Sequence, residues 1–136
     1  TASRAAGLRF VNDLTALQTP ADLMPVGVYN STISGNVATT SEVGRGTGGI
    51  AITGNIDLLL HATTVFDNES AAGVGGVTAD MSVSNPGPGN TLAPTIVLNS
   101  SIVAGSRNGA ADLGIFDEAL MPSLVVSSTQ SLVQTA

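Results

Sequence analysis

The 136-residue sequence predicts an all-β fold: a parallel β-helix (β-solenoid) of three to four coils with Pro/Gly-rich loop insertions. Three observations lead there. A block recurs without a gap as Val26–Asn36, Leu58–Asn68 and Ile96–Ser106. A shorter block precedes each copy: Ala6–Phe10, Gly48–Ile52 and Gly75–Ala79. Within the blocks apolar residues alternate at 50/52, 58/60 and 96/98, with Gly, Asn or Asp at the breaks. Period two means short strands, and a repeated set of short strands stacks one copy on the next at roughly 4.8 Å.

The elements follow in order. Leu8–Phe10 opens the first coil as a strand by alignment with Ile50 and Val77. Phe10, Val11, Leu14 and Leu17 would share one helical face, so a short helical turn near 13–18 competes there. Each repeat then offers a Gly-Gly-Ile strand, a Leu-Leu-Leu strand and a Thr-Val-Phe strand. Coils run over approximately 5–46, 47–73 and 74–110, with a partial fourth over 111–136, all in a single domain of residues 1–136. Their unequal lengths place insertions at 13–23, 39–46 and 84–94, the last a surface loop by its Asn85-Pro-Gly-Pro-Gly-Asn90 run. Inward columns stack Val26 on Leu58 on Ile96, Val28 on Leu60 on Leu98, and Ile33 on Val65 on Val103. Asn36 and Asn68 share a corner suited to an amide ladder, which Ser106 interrupts.

Composition excludes several activities. Ten acids against four cations, all Arg, give a net charge of −6, which argues against phosphate-backbone binding and so against nucleic acid. With no Cys there is no disulfide framework, thiolate metal site or thiol nucleophile, and with no Lys no Schiff base. An apolar content of 43% is too high for a solvated disordered chain, and no run approaches the ~18 apolar residues of a membrane span. The chain opens on Thr1 with no leader-like segment, so the expectation is a processed chain or a segment of a longer protein.

Few residues are placed for chemistry. A saccharide-cleaving site needs neighbouring carboxylates, yet Asp57 stacks with Pro25 and Thr95, Asp67 with Gly35 and Gly105, and Asp80 with Val11 and Thr53. Asp117 and Glu118 with Asp112 read as a solvated acidic turn rather than a cation site. Gly75–Asp80 is not the calcium nonapeptide, which needs Gly before the residue preceding Asp80. His61 stacks with Tyr29 and Asn99 on an outward column, an ordinary surface position. Gly44-x-Gly46-x-x-Gly49 matches the dinucleotide fingerprint but runs into a strand, not a helix N-terminus. Sequons at Asn30, Asn68 and Asn99 arise from composition alone. No catalytic, cofactor or metal residue is assigned. One charged pair falls in register: Glu69 and Arg107 share a column, which predicts a cross-coil ion pair worth about 0–1 kcal/mol if exposed.

Asn30-Ser-Thr-Ile-Ser-Gly-Asn36 followed by a Gly-Gly-Ile start resembles the repeats of right-handed parallel β-helix proteins of the polymorphic outer-membrane and autotransporter-like surface type. Ser101-Ile-Val-Ala-Gly-Ser106, with Asp112-Leu113 and Ser131–Val133 downstream, is similar to their last coils. The resemblance implies right-handedness and an extracellular or bacterial cell-surface location.

Outward positions should be polar, yet Gly27/Leu59/Val97 form an apolar column and Phe66 also points outward, which implies a covered face there, under the N-terminal segment and insertion loops or under another chain. The tail from Ser123 to Val133, with Leu124, Val126 and Leu132, is strand-like and free of the lysines that protect sheet edges. These six residues, Leu59, Val97, Phe66, Leu124, Val126 and Leu132, are the candidate interaction residues. The expected partner is a second copy, by end-to-end or edge-strand stacking, or the rest of a longer surface protein, with a glycan as a further ligand. The expected function is a non-enzymatic structural or adhesive module, self-assembling end to end into a fibre. The alternative is a carbohydrate-binding or polysaccharide-cleaving, pectate-lyase-like module.

Overall fold

The computed structural model describes residues 6–12, 23–40, 46–71, 73–80, 95–108, 111–116 and 125–134. Every regular element among them is a strand. In chain order these are β1 (Leu8–Asn12), β2 (Met24–Tyr29), β3 (Thr32–Ser34), β4 (Val37–Ala38), β5 (Ile50–Gly54), β6 (Ile56–His61) and β7 (Thr64–Phe66). They continue as β8 (Glu69–Ser70), β9 (Val74–Asp80), β10 (Thr95–Asn99), β11 (Ile102–Ala104), β12 (Ala111–Phe116), β13 (Val125–Thr129) and β14 (Leu132–Val133).

All pairing is parallel. The first sheet has the order β1-β5-β9-β12, the second β13-β10-β6-β2 and the third β14-β11-β7-β3, while β4 pairs β8. Each return of the chain lays one strand on each of the same three sheets. We call each return a tier: β1–β4, β5–β8, β9–β11 and β12–β14. The protein is all-β, with parallel strands in stacked sheets, an arrangement compatible with the expected solenoid.

The registers match the sequence columns. Val26 and Ile96 both pair with Leu58, Ile33 and Val103 both pair with Val65, and Leu8 and Val77 both pair with Ile50. Because side chains alternate across a strand, one register sends a whole column inward. Ile50, Ile52, Leu58, Leu60, Val65, Val77, Ile96, Leu98 and Val103 are all fully buried in one core. Phe10, Met24, Val26, Leu113 and Val133 pack against its margins.

Corners are built from residues with left-handed backbones. Asn30, Ala62, Ser100 and Gln130 repeat φ near +50° at the turn between the second and third sheets. Gly35, Asp67 and Gly105 take φ of +70°, +55° and +69° at the turn that leaves the third sheet. The left-handed region suits Gly and Asn, whereas Ala62 gains nothing there to offset its Cβ clash.

Each corner is followed by a polar ladder. Ser31, Thr63, Ser101 and Ser131 form one, whose hydroxyls donate to the carbonyls of Tyr29, His61, Asn99 and Thr129. The N–H of Thr63 donates to Ser101 Oγ at 3.1 Å and that of Ser101 to Ser131 Oγ at 3.0 Å. The expected amide ladder is present too: Asn36 Nδ2 donates to Asn68 Oδ1 at 2.9 Å. Beyond it Ser106 does not simply end the series. Its N–H donates to Asp112 Oδ1 at 2.9 Å, so a buried carboxylate takes the acceptor role on the fourth tier.

Three expectations change. The partial fourth coil contributes a strand to each of the three sheets, and the tail is two strands, β13 and β14, bent at Gln130 and paired to β10 and β11. The covered outward face belongs to the first sheet, where Ala51, Thr53 and Thr78 are buried, rather than to the Leu59 column. The helical turn near 13–18 and the Pro/Gly loop at 84–94 lie outside the described residues, as do most of 13–23 and 39–46.

Candidate functional site

Alternation along β2, β6 and β10 turns Pro25, Gly27 and Tyr29 outward beside Asp57, Leu59 and His61 and, one tier on, Thr95, Val97 and Asn99. These columns shape a groove of about 410 Å³ on the second sheet, floored by Gly27, Leu59 and Val97. Gly27 seats the Tyr29 ring, which folds back over the position a Cβ there would take and stays about half exposed. At the opposite wall Thr95 Oγ1 donates to Asp57 Oδ1 at 2.7 Å, which holds the carboxylate while leaving its remaining acceptor positions. His61 tilts against Tyr29 with ring centroids 6.2 Å apart. The groove thus joins an apolar floor, an aromatic face and a fixed carboxylate.

The six candidate interaction residues do not form one site. Leu59 and Val97 are neighbours in the groove, the first half-buried and the second exposed. Phe66 is exposed on the third sheet, where its ring lies over Gly105, a glycine with φ +69°. Leu132 is exposed on that same sheet and pairs with the exposed Ile102, forming a second apolar strip. Val126 pairs with Ile96 in the inward column and is exposed. Leu124 lies outside the described residues.

Sequence reasoning missed Tyr29 and Asp57 as members of one groove. The signal was Gly27, which interrupts an apolar column and makes room for an aromatic ring two residues on. Ile102 was missed as well, since its partner Thr64 hides the column's apolar character.

The charged pair is found and refined. Glu69 and Arg107 bridge as backbone partners, with Arg107 Nη1 at 3.8 Å from Glu69 Oε2. The tighter contact is Arg107 Nε to Asp67 Oδ1 at 2.9 Å, and Arg107 Nη2 also donates to the Asp67 carbonyl at 3.3 Å. Asn108 occupies Glu69 instead, through Nδ2 to Oε1. Asp67 wins because its left-handed corner turns its carbonyl and carboxylate toward the next tier.

Among the described residues no group of three or more His, Cys, Asp or Glu is placed to hold a metal ion. Asp112 is buried in its corner, and Asp117 and Glu118 lie outside the described residues. Gly49 of the dinucleotide-like motif leads into β5. Asn68 of the second sequon is buried and bonded on both sides. Among the described residues no helix is long and apolar enough to cross a membrane. Compared with known proteins, the chain matches no family model, no curated protein and no solved structure.

Proposed function

We propose that the stacked tiers are a right-handed β-solenoid serving as a non-enzymatic structural or adhesive module of a secreted or cell-surface protein. The observation that carries this reading is the continuity of columns through all four tiers. Backbone and apolar ladders keep one register through the second and third sheets, a hydroxyl ladder joins those two, and the first sheet keeps register except for one shift between Ala111 and Leu113. Such a stack is a stiff, extended scaffold whose outer surface can vary without disturbing its interior. Its outward strips, with Val97, Phe66, Ile102 and Leu132 exposed, are the surfaces it presents. The test is twofold. Purified chain incubated with polysaccharides, polyuronides and calcium included, is expected to release no new chain ends, and beads coated with it are expected to adhere to cell or matrix surfaces. Calcium-dependent oligouronide cleavage would overturn the non-enzymatic part, and beads that adhere no better than uncoated ones would leave the adhesive part without support.

A second reading, carbohydrate binding, is favoured by the groove on the second sheet. A half-exposed phenol over an apolar floor suits the C–H face of a sugar ring, and the Asp57 carboxylate suits its hydroxyls. Calorimetric titration with neutral oligosaccharides tests it: heat that disappears in Tyr29→Ala supports the groove, and equal heat in both proteins removes it.

A further inference from the structure

We infer that the groove on the second sheet selects a sugar carrying a free ammonium group over its neutral counterpart, with the Asp57 carboxylate as the selecting group. The inference rests on the carbohydrate reading above and adds the charge of the ligand to it.

The groove keeps apolar and polar contact in separate rows. Its floor, Gly27, Leu59 and Val97, is one row of outward residues, and Pro25, Asp57 and Thr95 form the next, two residues back along the three strands. Two residues of strand span roughly 6–7 Å, about the width of one sugar ring. Tyr29 leans back over Gly27, so its phenol stands above the floor on the first tier. A ring laid on Leu59 and Val97 therefore has an aromatic face at its side and the Asp57 row at its end.

The polar row is short of donors. Of the side chains that line the groove, only Tyr29, Asp57 and Thr95 carry polar atoms. The Thr95 hydroxyl gives its one proton to Asp57 Oδ1 at 2.7 Å, so the Asp57–Thr95 wall offers a ligand lone pairs alone. A neutral sugar hydroxyl brings one donor and two lone pairs, and this wall matches only the donor. An ammonium brings three donors, no lone pair and a charge.

No cation of the chain answers that carboxylate. Arg107 is held by Asp67 and Glu69 at the corner of the third sheet, and Arg9 lies on the first sheet. Among the described residues no Arg lines the groove, and the sequence contains no lysine. A net charge of −6 gives the whole chain a field that favours a cationic ligand. Asp57 is half-buried beside the apolar floor, where a charge-assisted hydrogen bond is screened less than in open water.

The experiment titrates the full chain calorimetrically with oligomers of glucosamine, of N-acetylglucosamine and of glucose, below the pKa of the amine. Glucosamine oligomers are expected to bind about tenfold or more tighter than either uncharged series at low salt. That preference is expected to shrink as salt rises. Asp57→Asn keeps the shape and the acceptor for Thr95, and is expected to remove the preference while all three series still bind weakly. Tyr29→Ala is expected to weaken all three. If Asp57→Asn unfolds, Val97→Lys is the second variant. Val97 is exposed, the substitution tethers an ammonium beside Asp57, and loss of glucosamine binding is expected. Unchanged binding in that variant would overturn the inference. Equal affinity for charged and neutral oligomers would overturn it too and leave the carbohydrate reading standing. A preference that survives Asp57→Asn would assign it to the net charge of the chain, against the inference. A simple alkylamine bound as tightly as the glucosamine oligomers, or no heat with any oligomer, would remove the inference and the carbohydrate reading together.

Discussion

Asn36 and Asn68, thirty-two residues apart in sequence, are joined tier to tier: Asn68 Oδ1 accepts from both Asn36 Nδ2 at 2.9 Å and Asn36 N–H at 3.1 Å. Asn68 Nδ2 donates in turn to the Ile33 carbonyl at 2.9 Å. Asn68 is buried and Asn36 half-buried, so the pair is asymmetric. Removing the inner member strands buried groups on the tier below. Asn68→Ala is therefore expected to cost about 2–4 kcal/mol and Asn36→Ala under about 1 kcal/mol. Urea unfolding of the two variants checks the ratio. Equal losses would contradict the ladder.

Left-handed corners give a prediction of opposite signs. Ala62 adopts φ +49° and is exposed, so Ala62→Gly relieves its backbone at no packing cost. A gain of about 0.5–1 kcal/mol is expected after the entropy that Gly adds to the unfolded chain. Gly35 has φ +70° with open space around its Cβ position. Gly35→Ala is expected to lose about 1 kcal/mol from backbone strain alone. Thermal melts of both variants read the signs directly.

Adjacent leucines test the register. Leu60 is fully buried between Val28 and Leu98, while Leu59 lines the outward groove. Leu60→Ala is expected to cost about 2–5 kcal/mol through the cavity it leaves. Leu59→Ala removes partly exposed surface and is expected to cost under about 1.5 kcal/mol. A slip of one residue would reverse the order.

Arg107 bridges tiers at the surface, with Arg107 and Asp67 side chains 44% and 45% exposed. Exposure screens the pair, so Arg107→Gln is expected to cost about 0–1 kcal/mol, a difference that vanishes near 1 M salt. Measuring the unfolding midpoint at low and high salt separates this contact from packing. A loss that persists at high salt would assign Arg107 a structural role through its Asp67 carbonyl contact instead.

Strand type, tier boundaries and inward columns were legible in the sequence because a parallel stack repeats one local environment. Leu58, Leu60, Val65 and their partners must each be apolar at period two, and the chain must turn at the same columns. The amide ladder was legible for the same reason, since Asn36 and Asn68 occupy one column. What the linear sequence left open depended on contacts between unlike residues. Nothing in Ser31, Thr63, Ser101 and Ser131 announces a hydroxyl ladder until the corner φ angles turn each hydroxyl toward its carbonyl. Asp112 lies outside the repeat and enters the Ser106 corner only through the fourth tier's fold. Arg107 chooses Asp67 over its column partner Glu69 because a corner, not a column, aims the acceptor. The groove of Tyr29 over Gly27 likewise exists only in three dimensions. Periodicity reports which way a side chain points, and tertiary structure decides what it meets there.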